Sequence, residues 1–143
     1  HFVLLTGWDP SWGGGEGAFT VNDPAMFNET RVRYGDFTGV ILYAVQARAP
    51  ALAYPLFKQF DYRWSNDTMS TRTVGAVGCL VSSTAMALAG HGVLASGRMD
   101  PGAVNAWLRA HGGYVGDSMD EAVIPALEPS RVAWPKDGMH RSA

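Results

Sequence analysis

The stretch TVGAVGCLVSSTAMALAG, residues 73–90, contains the only cysteine of the chain, placed between glycine-containing sequence and an apolar run. From Cys79 onward, the residues that recur with helical spacing are Leu80, Val81, Thr84, Met86 and Leu88. This spacing predicts a helix of about three turns that begins near Cys79 and ends at Gly90. The fold is therefore expected to hold a cysteine at a helix N-terminus.

Cys79 has two interpretations at this point. A thiol is a poor nucleophile until it ionises, and a helix N-terminus stabilises the thiolate through unpaired backbone N–H groups and the positive end of the helix dipole. Gly75 and Gly78 permit a tight turn before it and let a substrate carbonyl approach the backbone N–H groups of an oxyanion hole. Alternatively, Cys79 is a buried structural residue, since free cysteine packs as a small hydrophobe.

Residues 1–47 have a different pattern, in which apolar and polar residues alternate. The alternating segments are HFVLLTGW, AFTVND and VRYGDFTGVILYAV. They predict antiparallel strands, and the glycine-rich SWGGGEG is expected to form a hairpin loop between the first two. Pro50 and Pro55 then indicate an extended connector over residues 48–55.

Residues 56–143 are expected to be mainly helical. In the segment DPGAVNAWLRAHGG, Asp100 can cap a helix by accepting hydrogen bonds from its first turn. Pro101 suits the first helical position, where a missing N–H costs nothing, and Gly112 can close the helix. This segment therefore predicts a second well-defined helix.

A third, short helix is predicted in DSMDEAVIPAL, residues 117–127. Asp117 or Ser118 is expected to cap it, with acidic residues near the positive end of its dipole. A β half followed by a helical half predicts one α+β domain over residues 1–143.

The composition limits the class of protein and partner. The 143 residues are 47% hydrophobic and 17% charged, which is sufficient for a globular core. The net charge of −2 without a basic block argues against nucleic-acid binding. No segment approaches the ~18 consecutive apolar residues of a membrane span, so no membrane span is expected. One cysteine and scattered histidines lack the spacing of a metal site, so neither a metal nor another cofactor is expected.

Two glycosylation sequons bear on localisation. They are NET at residues 28–30 and NDT at residues 66–68. An acceptor asparagine of this kind is modified in secreted proteins, so the sequons favour a secreted or extracellular location.

A cysteine nucleophile needs a base, and the base needs an orienting partner, usually Asp or Asn. Three of the four histidines are explained by structure or solvent, because His91 and His111 follow helix ends and His140 lies in a polar tail. His1 opens an apolar strand, and tight antiparallel pairing with the next strand would bring Asn22 or Asp23 beside its ring. The other interpretation of His1 is a frayed first residue.

Together, these segments resemble one family. The segments FKQFDYRW, VGAVGCLVSSTAMALAGHG and DPGAVNAWLRAHGGYV resemble the front half of the papain-like cysteine peptidases of the bacteriocin-leader-processing group. The segments HFVLLTGWDP, FTVNDP and VRYGDFTGVILYAV resemble the back half of the same family. The resemblance implies a papain-like fold, in which a helical part contributes the cysteine and an antiparallel sheet contributes histidine and aspartate.

The resemblance also implies roles for individual residues. Cys79 would be the nucleophile, His1 the general base, Asp23 its orienting partner and Gln59 the side-chain donor to the oxyanion. The implied activity is hydrolysis of a peptide or amide bond in a peptide or protein substrate. Without the resemblance, Gln59 is interpreted as a surface glutamine.

The two halves stand in the opposite order to that of the family, where the cysteine half comes first. A natural permutation, a cut from a tandem array and arbitrary chain ends each explain this order. A permuted domain needs a strand beside His1, and RVAWP, residues 131–135, is the nearest candidate. If this segment pairs elsewhere, the sheet is expected to keep an unfilled edge, and the assignment of the two halves to separate units stays open.

A binding module is the competing hypothesis. A papain-like scaffold without turnover could hold peptide or glycan on exposed aromatic side chains, for which Trp8, Trp12 and Trp64 are candidates. Trp107 and Trp134 are expected to pack in the core.

Overall fold

The N-terminal part of the chain is organised around an antiparallel sheet. The computed structural model describes residues 1–25, 29–36, 38–41, 44–45, 53–133 and 139–140. The strands β1 (Leu4–Asp9), β2 (Ala18–Asn22) and β3 (Arg31–Val32) lie in the order β1-β2-β3. Two short strands, β4 (Val40–Ile41) and β5 (Ala44–Val45), follow them. The hairpin of the first two strands is thus confirmed, and β1 is an edge strand of this sheet.

Three helices follow: α1 (Val74–Val77), α2 (Cys79–Gly90) and α3 (Pro101–Ala110). The bounds of α2 confirm the prediction made from its apolar period. The Asp100 carboxylate accepts from the backbone N–H of Ala103 at 2.8 Å, which confirms the capping of α3. The sequence did not predict α1, which has only four residues and is capped by Thr73. The chain is therefore α+β, and these α-helices all lie in the second half of the sequence.

The core lies around α2. Buried apolar side chains come from both long helices and from the segments around them, namely Trp64, Val74, Val81, Ala85, Leu88, Val104, Leu108, Ile124 and Val132. The α2 residues 81–86 are all buried, including two serines and a threonine, because the helix is covered on several sides. Its first residue, Cys79, is only partly buried, so the thiol lies where the central helix reaches the surface.

The helices of the described residues are short compared with a membrane span. A helix needs about 20 residues to cross a bilayer. The longest helix in the described ranges, α2, has 12 residues, and none of the helices there is long and apolar enough to span a membrane.

The predicted third helix is wrong in its start and type. Residues 114–119 form a hairpin of β6 (Tyr114–Val115) and β7 (Ser118–Met119), and a 3₁₀ helix follows over Glu121–Leu127. Gly116 has φ +61°, a conformation that a tight two-residue hairpin turn requires and that glycine adopts at little cost. Asp120, rather than Asp117 or Ser118, caps the 3₁₀ helix by accepting from the N–H of Ala122 at 3.1 Å.

Asp117 instead stabilises a neighbouring loop. Its carboxylate accepts from the backbone N–H groups of Ser70, Thr71 and Arg72 at 3.2, 2.7 and 2.9 Å, and from the Thr71 hydroxyl. These hydrogen bonds, first that of the Thr71 hydroxyl, lower the pKa of Asp117 from 3.8 to about 2. The charged carboxylate therefore ties the β6–β7 turn to the segment before α1.

Stability is expected to depend on Asp117 in acid. Because the pKa is lower in the folded state, the contribution is complete above pH 4 and is lost as the pH falls through about 2. Asp117→Asn should lower the melting temperature at pH 7 and reduce the difference between pH 5 and pH 2, measured by circular dichroism. Glu16→Gln, at an exposed acidic residue of the hairpin loop, is the control and should leave both quantities unchanged. Equal acid sensitivity of Asp117→Asn and the wild type would contradict the assignment.

The last strands of the described chain pair with the end of the β half. β8 (Val132–Ala133) pairs antiparallel with β5, and β9 (Met139–His140) pairs antiparallel with β4. These pairings join the two halves of the sequence. In the predicted connector, residues 53–55 have no regular secondary structure, and residues 48–52 lie outside the described residues.

The placement of RVAWP beside His1 is wrong. Its residues Val132 and Ala133 pair with β5, while Trp134 and Pro135 lie outside the described residues. The backbone just before β1 contacts α2 instead, because the Ser83 hydroxyl donates to the Phe2 carbonyl at 3.2 Å. A helix therefore takes the place in which the sequence led us to expect a strand.

Candidate functional site

Cys79 begins α2 directly after a close turn from α1. The turn residue, Gly78, has φ −85° and ψ 21°, and a Cβ atom there would lie 2.5 Å from the Val74 carbonyl oxygen. Any side chain at Gly78 would therefore displace backbone, which explains why the cysteine follows a glycine. The N-cap of α2 is Gly78, which has no side chain to accept from the first turn, in contrast to Thr73 at α1 and Asp100 at α3. The first-turn N–H groups of α2, which have no intrahelical partner, lie beside the thiol.

His1 and Asp23 form the second element of the site. The register of the β1–β2 hairpin places Leu4 opposite Asn22, so the residues just beyond both strand ends are neighbours. The Nε2 atom of His1 lies 2.8 Å from Oδ1 of Asp23. Of the two partners that strand pairing allowed, the structure selects Asp23. The side chain of His1 is 36% exposed and that of Asp23 only 1%.

The buried Asp23 carboxylate has further donors around it. Oδ1 also accepts from the backbone N–H of Ala25 at 2.8 Å, and Oδ2 accepts from the N–H of Glu29 at 3.3 Å. A buried carboxylate surrounded by donors is held in one orientation. It accepts from the imidazole, so the neutral ring of His1 carries its proton on Nε2 and its lone pair on Nδ1.

Gln59 is buried, which excludes its interpretation as a surface glutamine. It is 5% exposed, and its Nε2 donates to the Gly75 carbonyl in α1 at 2.9 Å. Its backbone N–H donates to the Pro24 carbonyl, also at 2.9 Å. Gln59 therefore connects the turn after β2 with the short helix that leads to Cys79. Its Oε1 atom has no hydrogen-bond partner in the described part of the chain.

The contact between α2 and the start of β1 relates Cys79 to His1. Cys79 and Ser83 are four residues apart, so they lie on one face of α2, separated by one turn of about 5.4 Å. Ser83 donates to the carbonyl of Phe2, the residue next to His1. The Phe2 carbonyl, next to His1 in the chain, therefore lies on the α2 face that Cys79 shares. Among the residues that the structure describes, no hydrogen bond joins the thiol of Cys79 to the ring of His1.

The aromatic residues differ from expectation in one respect. Trp64, proposed as an exposed binding residue, is 2% exposed, and its Nε1 donates to the Lys58 carbonyl at 2.8 Å. It is buried because the edge of its ring packs with Phe57 in the core. Trp8 is 49% exposed, and Trp12 is partly exposed with the Arg33 guanidinium 5.2 Å from its ring.

Two contributors to this region were not predicted from the sequence. Ser83 positions the backbone beside His1, and Lys58 donates to two carbonyls of the turn that carries Asp23. No local sequence pattern marks either residue. Their partners lie 33 to 81 residues away along the chain.

Neither a metal-ligand cluster in the described residues nor a known relative indicates the chemistry of this site. Within the described ranges, no group of three or more His, Cys, Asp and Glu residues could hold a metal ion. Comparison with models of protein families, with curated proteins and with solved structures finds no match. The chemistry of the site is therefore inferred from its side chains and their geometry.

Proposed function

We propose that the protein is a thiol hydrolase of papain-like type that cleaves a peptide or amide bond, with Cys79, His1 and Asp23 as its triad. The observation that carries this proposal is the 2.8 Å contact of His1 with the buried Asp23, beside the α2 face that begins with Cys79. A base held by a buried carboxylate, next to a cysteine at a helix N-terminus, is the arrangement that nucleophilic thiol catalysis requires.

Asp23 orients the base. It accepts from Nε2 of His1, which directs the lone pair of the neutral ring to Nδ1, the atom that exchanges a proton with the thiol. The hydrogen bonds from Ala25 and Glu29 keep the carboxylate in place. When His1 is protonated, the same carboxylate stabilises the imidazolium without taking its proton.

The reaction proceeds in two halves. The Cys79 thiolate attacks the substrate carbonyl, a C–S bond forms, and the carbonyl oxygen becomes an oxyanion. Collapse of this intermediate breaks the C–N bond, and the leaving amine takes the proton of His1. Water then attacks the thioester and gives a proton to His1. The carboxylic acid product leaves, and the thiolate–imidazolium pair is restored.

In this proposal the oxyanion of the intermediate is bound at the N-terminus of α2. The backbone N–H of Cys79 is the first donor, because it precedes the helical hydrogen-bond pattern and points out of the helix end. The amide nitrogen of Gln59 carries two hydrogens, of which one is given to Gly75 at 2.9 Å. The second hydrogen makes Gln59 the additional donor in this proposal.

The proposal is tested by alkylation of Cys79 with iodoacetamide, followed by mass spectrometry between pH 6 and pH 8. Because the chain has one cysteine, every label reports this site. We expect the rates at the two pH values to agree within about threefold, whereas an ordinary thiol near pKa 8.5 loses roughly tenfold per pH unit. The same protein in urea is the reference for an ordinary thiol, and Cys79→Ser shows the background.

Turnover is tested on the same protein. A library of unstructured peptides should be cleaved by the wild type and left intact by Cys79→Ser, as measured by mass spectrometry. A binding module without turnover predicts no cleavage. A thiol with an ordinary pH profile, or one fully protected from the reagent, would overturn the hydrolase proposal.

A further inference from the structure

Lys58 connects the turn that carries Asp23 to the segment that carries Gln59. Its Nζ atom donates to the Asp23 carbonyl at 2.9 Å and to the Ala25 carbonyl at 2.7 Å. The intervening carbonyl, that of Pro24, accepts from the backbone N–H of Gln59 at 2.9 Å. Three successive carbonyls of one turn thus accept from two adjacent residues that are more than 30 positions away.

The ammonium group of Lys58 is well suited to joining two backbone carbonyls. An ammonium has three donors and no acceptor, and a hydrogen bond from a charged donor is about twice as strong as a neutral one. Two carbonyls that converge on one point repel each other unless a donor lies between them. Without Lys58, these partly buried carbonyls would lose that donor. The free-energy cost of the unpaired carbonyls would favour a different conformation of the turn.

The backbone of Lys58 is itself held by the core. Its carbonyl accepts from the indole N–H of Trp64 at 2.8 Å, and Trp64 is 2% exposed. The hydrogen bond from Asn22 Nδ2 to the Pro55 carbonyl at 3.1 Å attaches the same two segments a second time, without charge. The buried Trp64 therefore holds the backbone of Lys58, and the side chain of Lys58 holds the turn at Asp23.

We propose that Lys58 is a positioning residue for the triad, an inference that rests on the proposed function. It holds residues 23–25 so that the Asp23 carboxylate remains against His1. The side chain of the adjacent Gln59 donates a hydrogen bond to the Gly75 carbonyl. Lys58 and Gln59 together therefore link this turn to the α1 helix that precedes Cys79. Lys58 thereby sets the relative position of the base and the nucleophile, which come from different halves of the sequence.

The test compares Lys58→Met, which keeps the apolar stem, with Lys58→Arg, which keeps the cation. Lys58→Met should slow alkylation of Cys79 at pH 6 by about tenfold, since small displacements of catalytic groups cost this much or more. Lys58→Arg should recover most of the loss. Arg98→Met is the matched control, because it removes an exposed cation whose partner, Asp100, caps α3 and lies outside the site. It should behave as the wild type.

A second readout does not depend on catalysis. The Nε2 proton of His1, deshielded and protected from solvent exchange by its hydrogen bond to Asp23, should give a downfield signal in the proton NMR spectrum of the wild type and Lys58→Arg. Lys58→Met should weaken or lose this signal while circular dichroism shows a folded protein. If Lys58→Met does not fold, Lys58→Gln, which keeps donors without the charge, replaces it in both measurements.

The outcomes separate the two proposals. A wild type with an ordinary thiol profile defeats the proposed function, and the NMR signal then decides alone whether Lys58 positions Asp23 and His1. A wild type that remains reactive at pH 6, with Lys58→Met matching it in rate and in the His1 signal, overturns the role of Lys58 only. Loss of the signal and of the rate in Lys58→Met, with recovery in Lys58→Arg, supports the proposal.

Discussion

Replacement of His1 by alanine is expected to slow iodoacetamide alkylation of Cys79 at pH 6 by about 100-fold, because the thiolate loses its counter-charge and keeps only the helix N-terminus. Cleavage of the peptide library should fall by about 10⁴-fold, since the leaving amine also loses its proton donor. The side chain of His1 is 36% exposed, so its truncation should leave the fold intact. Rates are measured by mass spectrometry and folding by circular dichroism.

His111→Ala is the matched control for this prediction. His111 is exposed, follows the end of α3, and contacts the Trp107 carbonyl through Nδ1 at 2.8 Å. The His111→Ala variant loses an imidazole at the end of α3, a helix that carries no triad residue. The rates of alkylation and of peptide cleavage should therefore remain at the wild-type level. Equal rates for His1→Ala and His111→Ala would remove His1 from the mechanism.

Leu108→Ala is expected to lower the free energy of unfolding by about 3 kcal/mol, within the range of roughly 2 to 5 kcal/mol for buried leucines. Leu108 lies in α3, is 0% exposed, and belongs to the core cluster around α2. A Cβ atom on Gly113 would lie 2.4 Å from its Cδ2 atom, so the side chain is closely surrounded. The cavity left by truncation would have little chance to collapse, and urea titration followed by circular dichroism measures the loss.

Leu94→Ala deletes the same atoms from a side chain that is 51% exposed. Its cost should stay below about 1 kcal/mol, because little apolar surface returns to water and no cavity forms. If the two variants unfold at the same urea concentration, Leu108 does not contribute to the core in the way that its burial indicates.

Local signals predicted the long helices well. The apolar period from Cys79 and the cap, proline and glycine around residues 100–112 act within a few residues of the chain, and the observed α2 and α3 follow them. The alternation in residues 1–23 likewise predicted the β1–β2 hairpin. The register of that hairpin then placed Asp23 beside His1.

Prediction failed where a distant partner competes for the same residue. Aspartate is a typical helix-capping residue, but the carboxylate of Asp117 accepts hydrogen bonds from the backbone N–H groups of residues 70–72 instead. Trp64 follows charged and polar residues, yet it packs against Phe57 and is buried. Val132 and Ala133 pair with β5 instead of lying beside His1. The contacts of Asp117 and of the strand at Val132 span tens of residues, and Trp64 belongs to a core cluster that extends to Val132. No local pattern encodes such partners.

The sequence by itself determined that a cysteine begins a helix and that a hairpin brings Asn22 and Asp23 towards His1, because both depend on hydrogen bonds between segments that are close together in the chain. Only the tertiary structure selected Asp23 as the partner of His1 and placed the neighbouring Phe2 carbonyl against Ser83, on the α2 face that begins with Cys79. Only the tertiary structure, too, joined Lys58 and Gln59 to the turn at residues 23–25. Those contacts form when the two halves bury their apolar surfaces together, and that association is a property of the whole chain.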